Sequence, residues 1–247
     1  MSYFEGKFAL VTGAGSGIGR ALAIELNRLG CNVWLTDISE NSLYETAQYL
    51  TNKTSNHKIS VVDCASLSAI ETLATEVKND TGYLDIIINN AGVGLGATFE
   101  EMNIEDFEWL MNINFWGVVY GCKAFLPLIK KAKKGHIVNI SSVLGMVSLP
   151  TVSAYNASKF AVRGFTESLR QELEGTSVHV CCVHPGGIDT NIALNSRGAI
   201  NNMSQVEKAE RFKKVARTSP EYAAKKITKA IQKRKNRLFC NRKRHLQ

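Results

Sequence analysis

Tyr155 and Lys159 have the types and the spacing needed to exchange a proton with an alcohol or a ketone. They lie four residues apart in a segment, 155–173, whose apolar residues recur with helical spacing, so both side chains are predicted to share one helix face. A phenol alone titrates near pH ~10, and an ammonium group within a few ångströms favours the phenolate and lowers its pKa. The pair is therefore predicted to act as an acid and a base near neutral pH.

Ser142 is predicted to lie beside this pair. It follows the apolar run 137–140, which indicates a buried strand, and in a parallel sheet ligands bind beyond the carboxyl ends of the strands. A carbonyl oxygen could then sit between Ser142 and Tyr155. A Tyr and a Lys at this spacing are by themselves more often a pair on a helix surface, so the interpretation depends on the rest of the chain.

The N-terminal segment predicts a site for a dinucleotide. An apolar strand pattern over 8–11 leads into glycines at positions 13, 17 and 19, and a helix pattern follows from Ile18 to Leu29. Such glycines let the backbone approach a pyrophosphate at the N-terminus of the helix, where unpaired N–H groups attract an anion. The spacing is not G-x-G-x-x-G. A motif that began at Gly13 would need a third glycine at position 18, which is Ile, and one that began at Gly15 would need it at position 20, which is Arg.

Asp37 is predicted to select the nucleotide. It ends the strand pattern 33–36, eighteen residues after Gly19. A carboxylate there can accept hydrogen bonds from both hydroxyls of an adenosine ribose, and it would repel a 2′-phosphate, which favours NAD over NADP. The other role open to Asp37 is a helix N-cap, and the two roles are compatible.

Taken together, the motifs resemble those of the short-chain dehydrogenase/reductase family, from about Gly6 to about Pro185 and more loosely beyond. The residues that carry the resemblance are Thr12, Gly13, Ala14, Gly15, Ser16, Gly17, Ile18 and Gly19 in the pattern T-G-x-x-x-G-x-G, then Asn89, Asn90, Ala91 and Gly92, then Asn114, Ser142, Tyr155 and Lys159, then Pro185 and Gly186. The resemblance implies an α/β fold, a Rossmann-like doubly wound parallel β-sheet with helices on both faces. The alternation of strand and helix patterns predicts the same fold class.

The resemblance also implies roles for single residues. Tyr155 would donate or accept the proton, Lys159 would adjust its pKa and bind ribose, and Ser142 would bind the substrate oxygen. Asn114 would distort the helix predicted over 103–131, so that a water links Lys159 to solvent. The implied cofactor-binding residues are Thr12, Gly13, Gly15, Ser16, Gly17, Ile18, Gly19, Asp37, Asp63, Asn90, Ala91, Gly92, Tyr155, Lys159, Pro185, Gly186, Ile188 and Thr190. Ser16 is neutral where NADP-dependent members often carry a basic residue, which again favours NAD.

A single domain over residues 1–247 is predicted, since a chain of 247 residues with 45% hydrophobic residues can bury one sizeable core. Its approximate parts are a dinucleotide-binding half (6–100), a catalytic half (101–190), a substrate lid (191–219) and a basic C-terminal helix and tail (220–247). Ser204 and Glu207 have the spacing of a capping box that opens a short helix in the lid. The helices over 103–131 and around Tyr155 imply, by resemblance, a homodimer or homotetramer.

Composition narrows the cellular setting. Six cysteines without C-x-x-C spacing and five scattered histidines favour a reduced, cytoplasmic protein without a metal site. We expect neither a secretory leader nor a membrane span, because no apolar run approaches the ~20 residues that a span needs. The basic residues show no aromatic interleaving, so no nucleic-acid partner is expected.

The net charge of +8 is concentrated at the C-terminus. Residues 208–247 hold fifteen Lys or Arg against two Glu, a net +13, which leaves −5 for the first 207 residues. Such a run is most often a solvated face, and attraction of an anionic substrate such as a thioester cofactor is the other reading.

The sequence therefore predicts an oxidoreductase that moves a hydride between NAD(H) and a small secondary alcohol or ketone. Apolar residues suggest a hydrophobic substrate; they are Leu144, Met146, Val147, Leu149 and Ile188. A 3-hydroxyacyl or 3-oxoacyl thioester is the alternative substrate. A nucleotide-sensing regulator without turnover is the alternative from another class.

Overall fold

Seven parallel strands form the central sheet of the computed structural model, in the order β3-β2-β1-β4-β5-β6-β7. The strands are β1 (Phe8–Thr12), β2 (Asn32–Asp37), β3 (His57–Val61), β4 (Ile86–Asn89), β5 (Gly135–Ile140), β6 (Val178–Pro185) and β7 (Arg237–Cys240). The structure describes residues 2–52, 54–198, 204, 206, 207, 210, 213, 214 and 216–240.

Helices cover both faces of the sheet. They are α1 (Gly17–Arg28), α2 (Glu40–Gln48), α3 (Leu67–Thr81), α4 (Ile104–Met111), α5 (Gly117–Ile129), α6 (Ser153–Glu172) and α7 (Pro220–Gln232). Leu22 of α1 and Ile227 of α7 are buried in the apolar layer on one face, and Leu73 and Phe125 of α3 and α5 are buried in the layer on the other. The predicted doubly wound α/β fold is therefore confirmed.

The sheet itself explains where a ligand can bind. Strands β4, β5 and β6 are buried along their whole length, as expected for parallel strands that helices cover on both faces. The strand order reverses between β1 and β4, so the connections that leave these two strands run to opposite sides of the sheet. This reversal opens a crevice outside the carboxyl ends of the strands, which is the usual ligand site of such sheets.

The last helix, α7, begins at Pro220, the residue at which the basic C-terminal helix is predicted to begin. The Ser219 hydroxyl accepts a hydrogen bond from the backbone N–H of Tyr222 and caps α7, and Pro220 stands in the first turn, where no helical N–H is needed. The inward face of α7 is formed by four buried residues, Ala223, Ile227, Ala230 and Ile231. The helix therefore closes one apolar layer and leaves its lysines outside.

Arg237–Cys240, predicted as part of a basic tail, form strand β7 instead. Leu238 and Cys240 are buried, whereas Arg237 and Phe239 are exposed. Four alternating residues next to a run of basic residues are too short a pattern to distinguish from a tail, and pairing with β6 decides their conformation. The rest of the predicted tail, 241–247, lies outside the described residues.

The predicted capping box in the lid is present. The hydroxyl and the backbone N–H of Ser204 both lie within 2.8 Å of Oε2 of Glu207, and the N–H of Glu207 donates to the Ser204 hydroxyl at 3.2 Å. The helix that this box is predicted to open includes residues outside the described part of the chain, among them 208, 209, 211 and 212.

Two classes of feature are not found among the described residues. No helix there is long and apolar enough to cross a membrane. In the same part of the chain, no group of three or more His, Cys, Asp and Glu residues is arranged to hold a metal ion.

Two histidines are buried at the amino ends of β5 and β6, at the edge of the sheet opposite Ser142. The rings of His136 and His179 lie 5.6 Å apart, Nε2 of His136 is 2.7 Å from the hydroxyl of Tyr3, and Nε2 of His179 is 3.0 Å from Oδ1 of Asn236. Burial is the main reason that the pKa of His136 falls to about 3, and nearby cationic groups lower it further. His136 is therefore neutral in the folded protein.

The buried His136 should make the fold sensitive to acid. Its pKa is lower in the folded state than the value of about 6.5 in the unfolded chain, so its contribution to stability is complete above about pH 6.5 and is lost as the pH falls towards 3. Between pH 7 and pH 5 we expect this residue alone to lower the free energy of unfolding by about 2 kcal/mol. Urea unfolding at both pH values should therefore show a smaller pH effect in His136→Leu than in the wild type.

His57 provides the control, because it is exposed at the start of β3. His57→Gln should retain the pH effect of the wild type. An equal loss of stability between pH 7 and pH 5 in His136→Leu and the wild type would contradict the assignment.

Candidate active site

The four predicted catalytic residues meet at the carboxyl edge of the sheet. The ammonium of Lys159 lies 5.7 Å from the centre of the Tyr155 ring, and the Ser142 hydroxyl is close enough to Tyr155 to influence its pKa. Asn114 lies near Lys159, because both side chains approach Gly92. A methyl group added to Gly92 would lie 3.1 Å from Asn114 Oδ1 and 3.4 Å from Lys159 Nζ. The structure thus brings together residues from three separate segments.

The first turns of α6 are fastened to the end of β5. The hydroxyl of Ser141 donates a hydrogen bond of 2.8 Å to the carbonyl of Lys159, and Nζ of Lys159 donates one of 3.1 Å to the carbonyl of Ile140. Gly145 allows this close approach, because a methyl group in its place would lie 2.5 Å from the same Lys159 carbonyl. These contacts fix where Tyr155 and Lys159 stand relative to Ser142.

The pKa values of the pair differ from the sequence prediction. Lys159 is only 4% exposed, and burial lowers its pKa to about 8, so most of it still carries a proton at pH 7. Burial also raises the pKa of Tyr155, and the hydrogen-bonding interaction with Ser142 only partly opposes this effect. The predicted lowering of the Tyr155 pKa by Lys159 is therefore wrong for the protein alone, because desolvation of the phenolate outweighs the other effects.

Asn114 lies at the centre of the predicted distortion. Residues Asn112–Trp116 form a π-helical turn between α4 and α5, and Asn114 is fully buried within it. Its side-chain amide accepts a hydrogen bond of 2.8 Å from the N–H of Val93 and donates one of 3.0 Å to the carbonyl of the same residue. Asn114 therefore holds the loop after β4 against α6, where it also donates to Ser158 at 3.3 Å.

Ser142 is held by its own backbone as well as by its side chain. Its hydroxyl accepts a hydrogen bond of 3.1 Å from the N–H of Leu144 and so caps the short 3₁₀ turn Val143–Gly145. Its carbonyl accepts one of 3.0 Å from Nδ1 of His184, a fully buried residue whose ring stacks on Phe239. Sequence reasoning missed His184, and its place directly before Pro185 was the only signal.

The glycine loop fits a pyrophosphate. Gly13 has a φ of +65°, and a methyl group on Gly19 would lie 2.0 Å from the carbonyl of Gly13, so only glycine at position 19 lets the loop fold onto the start of α1. Ser16, the N-cap of α1, makes no side-chain cap hydrogen bond. The N–H groups of the first turn, which include those of Gly17 and Ile18, have no partner within the helix and can bind an anion.

Thr12 and Asn90, both predicted to bind the cofactor, form hydrogen bonds within the protein, between the end of β1 and the loop after β4. The hydroxyl of Thr12 accepts hydrogen bonds of 2.9 and 3.0 Å from the N–H groups of Asn90 and Ala91, and the Asn90 amide donates at 2.9 Å to the Thr12 carbonyl. These bonds join the ends of β1 and β4. They set the width of the crevice at the point where the strand order reverses.

Asp37 has a carboxylate that is anchored at both oxygens. Oδ2 accepts a hydrogen bond of 3.0 Å from the N–H of Gly15, and Oδ1 accepts one of 3.1 Å from that of Ser39. The alternative role as a helix N-cap is not observed, because Ser39 caps α2. Each oxygen retains a second lone pair, so the carboxylate can still accept hydrogen bonds from two hydroxyl groups.

The remaining predicted cofactor residues border the same crevice. Asp63 follows β3, which pairs with the strand of Asp37, and its carboxylate accepts from the N–H of Ala65 at 2.9 Å. Pro185 ends β6, and the buried Ile188 pairs with Thr218. A methyl group on Gly17 would lie 3.1 Å from Cγ2 of Thr190, so the segment after β6 reaches the glycine loop.

Comparison with known proteins gives the family. The sequence matches the family model for short chain dehydrogenase over residues 7–201. The Mycobacterium tuberculosis protein SadH, provisionally named as an oxidoreductase, is 43% identical over 236 residues, which cover 94% of this chain and 85% of that protein. This chain thus belongs to the short-chain dehydrogenase family, and it is an oxidoreductase enzyme of the kind that uses a nicotinamide cofactor to act on a small molecule.

Two solved structures extend the comparison. A short-chain dehydrogenase/reductase from Burkholderia phymatum in complex with NAD has a TM-score of 0.89 and 30% identity, covering 98% of this chain and 91% of that one. A protein from Shigella flexneri 2a, provisionally named a short chain dehydrogenase and complexed with NADP, has a TM-score of 0.83 at 24% identity, covering 97% and 98%. The second likeness extends to the fold alone.

Proposed function

We propose that this enzyme interconverts a secondary alcohol and a ketone with NAD(H). The observation that carries the proposal is the meeting of the Ser142 hydroxyl, the Tyr155 phenol and the Lys159 ammonium at the edge of a crevice whose other side is the glycine loop. NAD(H) supplies or accepts the hydride when it is bound. The residues of the chain orient the substrate oxygen and exchange its proton.

Tyr155 is the proton donor in the direction of reduction. Because burial raises its pKa, the phenol holds its proton at neutral pH and can give it to a ketone oxygen on which negative charge develops. The ammonium of Lys159 then stabilises the phenolate that is left. The Ser142 hydroxyl, which already accepts a bond from Leu144, uses its own proton to bind the substrate oxygen.

Asn114 helps to restore the proton that Tyr155 gives to the substrate. It lies in the π-helical turn and holds Val93, whose neighbour Gly92 lies close to the buried Lys159. We assign it the support of a water that passes protons between solvent and Lys159. Its amide contacts no reacting atom in this scheme, so Asn114 is a positioning residue.

Asp37 favours NAD over NADP. Its carboxylate would accept hydrogen bonds from the ribose hydroxyls of the adenosine, and Ser16, where NADP-dependent members often carry a basic residue, has no charge. The neighbouring Arg20 is already engaged, since its guanidinium donates to the Gly15 carbonyl and pairs with Glu45 at 2.7 Å. The likeness to a relative in complex with NAD supports the same choice.

An apolar substrate is supported by the loop that follows Ser142. Val147 and Leu149 are 59% and 55% exposed although both are large hydrophobic residues, and Leu144 and Met146 are half-buried beside them. Water-exposed apolar side chains around a polar catalytic group are typical of a pocket that binds a hydrophobic ligand. The predicted lid, 191–219, would cover this ligand.

A 3-oxoacyl thioester is the second candidate substrate, and one observation favours it. Lys225 of α7 lines a groove of about 390 Å³ together with Gly17 and Thr190 of the crevice. Lys226 and Lys229 are exposed on the same helix. Glu25, Asp189 and Glu221 line the same groove, so the lysines that would attract the phosphate groups of a thioester carrier are those on the exposed face of α7.

We propose further that the enzyme is a cytoplasmic homodimer or homotetramer. All six cysteines are unpaired thiols, which suits a reducing compartment. Trp116, next to α5, remains 42% exposed and lies against the rings of Phe115 and Tyr120. Phe160 of α6 remains 38% exposed. Exposed aromatic residues of this kind are enriched in interfaces between subunits.

Tyr155→Phe should abolish most of the activity while the fold and the cofactor site remain. The phenylalanine has no proton to exchange, so turnover with NADH and a ketone should fall by at least ~100-fold, the usual contribution of such a group. The measurement is NADH absorbance over a panel of aliphatic, cyclic and steroidal ketones and 3-oxoacyl thioesters, together with NADH binding by fluorescence. Tyr44→Phe, which changes an exposed tyrosine of α2, is the matched control and should behave as the wild type. Near-normal turnover in Tyr155→Phe would remove this residue from the mechanism.

Asp37→Ala should narrow the preference for NAD over NADP. The change removes the repulsion of a 2′-phosphate and the hydrogen bonds to the ribose, so kcat/KM with NADPH should rise relative to that with NADH. Asp80→Ala, which removes a partly exposed carboxylate at the end of α3, should leave the ratio as it is. If the wild-type enzyme itself had the higher kcat/KM with NADPH, the role given to Asp37 would be wrong.

A further inference from the structure

Arg20 and Asp37 hold the same residue of the glycine loop. The guanidinium Nε of Arg20 donates a hydrogen bond of 3.0 Å to the carbonyl of Gly15, and the N–H of Gly15 donates one of 3.0 Å to Oδ2 of Asp37. A methyl group on Gly15 would lie 2.9 Å from the same carboxylate oxygen, so the loop lies directly against Asp37. A cation is therefore separated by one loop residue from the carboxylate proposed to bind the adenosine ribose.

The side chain of Arg20 is held in place by α2. Its Nη1 and Nη2 donate to the two carboxylate oxygens of Glu45 at 3.0 and 2.7 Å, the two-pronged geometry of a strong ion pair. These hydrogen bonds lower the pKa of Glu45, so its carboxylate is ionised at neutral pH. Nε also donates to the hydroxyl of Thr46 at 3.0 Å, and the guanidinium carbon lies 5.9 Å from the centre of the Tyr49 ring. The contacts with α2 thus fix the direction in which Arg20 points.

Glu45 and Thr46 differ in what else they support. Thr46 is fully buried, and its hydroxyl lies 3.0 Å from the carbonyl oxygen of Ala14 and 2.9 Å from that of Ser42, so it also holds the loop. Glu45 is exposed, and the hydrogen bonds of its side chain go to Arg20. Glu45 can therefore be changed without opening the core, and the change acts mainly on Arg20.

The pairing with Glu45 decides what Arg20 can bind. The planar guanidinium group of an arginine matches the oxygens of a phosphate and binds them by two hydrogen bonds at once. In this structure most of its N–H groups are already used, on Gly15, Thr46 and Glu45, and the carboxylate offsets its charge. The electrostatic field at the ribose is then dominated by Asp37, which repels a phosphate.

We propose that Glu45 is a second determinant of cofactor choice, because it keeps Arg20 on the glycine loop and away from the 2′-phosphate that distinguishes NADP from NAD. The ion pair of Arg20 with Glu45, together with the bond from Arg20 to Gly15, is named here the Arg20 clamp. The proposal rests on the proposed function, because it takes Asp37 as the residue that binds the ribose. Glu45 contacts no reacting atom, so its role is in specificity alone.

Loss of Glu45 would have two separable effects. Removal of any carboxylate near the ribose weakens the repulsion of a 2′-phosphate, whereas the release of Arg20 adds an attraction that depends on Arg20 itself. Glu40 separates the two effects. It is exposed in the first turn of the same helix, closer along the chain to Asp37 than Glu45 is, and it is not among the partners of Arg20.

The test measures the binding of NADH and NADPH by fluorescence, without turnover. Glu45→Gln should raise the affinity for NADPH relative to NADH by roughly 3- to 5-fold, the range that an exposed ion pair of good geometry supports. The glutamine keeps the length of the side chain and removes only its charge. Glu40→Gln, the matched control, should change the ratio of the two affinities by less than about 2-fold, because an exposed charge without a partner is screened by salt.

Variants of Arg20 identify the source of the gain. Arg20→Gln alone should leave the ratio within about 2-fold of the wild type, since the clamp already withholds this cation from a phosphate. Arg20→Gln combined with Glu45→Gln should show no gain, so the two changes should be non-additive. Arg20→Lys combined with Glu45→Gln should keep part of the gain, because the charge remains and the planar group is lost. A general loosening of the glycine loop would weaken both cofactors and cancel in the ratio.

Each outcome decides one claim. An unchanged ratio in Glu45→Gln would overturn the proposal, and so would an equal gain in Glu40→Gln or a gain that persists without Arg20. A wild-type enzyme that binds NADPH more tightly than NADH would count against the proposed preference for NAD and the role of Asp37. The role of Glu45 would still be decided by the change in the ratio between the wild type and Glu45→Gln.

Discussion

A buried ammonium group at the junction of a helix and a strand is the constraint on which the site depends. Lys159 is almost fully enclosed, and a charged amine in such a place is costly unless its N–H groups find acceptors. One acceptor is the carbonyl of Ile140, the last residue of β5, so α6 must press its first turns against the end of that strand. Ser141 secures the contact, and the same contact presents Ser142 and Tyr155 to one another. The burial that makes Lys159 responsive near pH 8 also keeps Tyr155 protonated.

The loop after β4 transmits this arrangement to the rest of the crevice. At Asn90 and Ala91 it is bonded to Thr12 and so to the glycine loop, and at Val93 it is bonded to Asn114. Two residues later it carries the backbone pairing with Arg197. A single stretch of chain therefore sets the relative positions of the glycine loop, the residues around Tyr155 and the segment at Arg197.

The parts of the site that sequence could predict are those governed by local rules. Tyr155 and Lys159 share a face because they are four residues apart on a helix, and Ser142 lies at the site because it follows a buried strand. The parts that it missed depend on contacts between distant residues. The direction of the Tyr155 pKa is set by burial under other elements, β7 forms only because β6 is beside it, and the partners of Arg197 and His184 lie 91 and 42 residues away. No periodicity carries that information.

The most direct test of the role given to the buried ammonium is the pH dependence of ketone reduction at saturating cofactor in the wild type and in Lys159→Met, which keeps the length and apolar stem of the side chain. With a Lys159 pKa of about 8, wild-type kcat/KM should fall as the pH rises through this value, because the ammonium that stabilises the Tyr155 phenolate is lost. Lys159→Met should be at least ~100-fold slower at pH 7 and should show no ionisation near pH 8. A variant that is as fast as the wild type, with the same pH profile, would contradict the account.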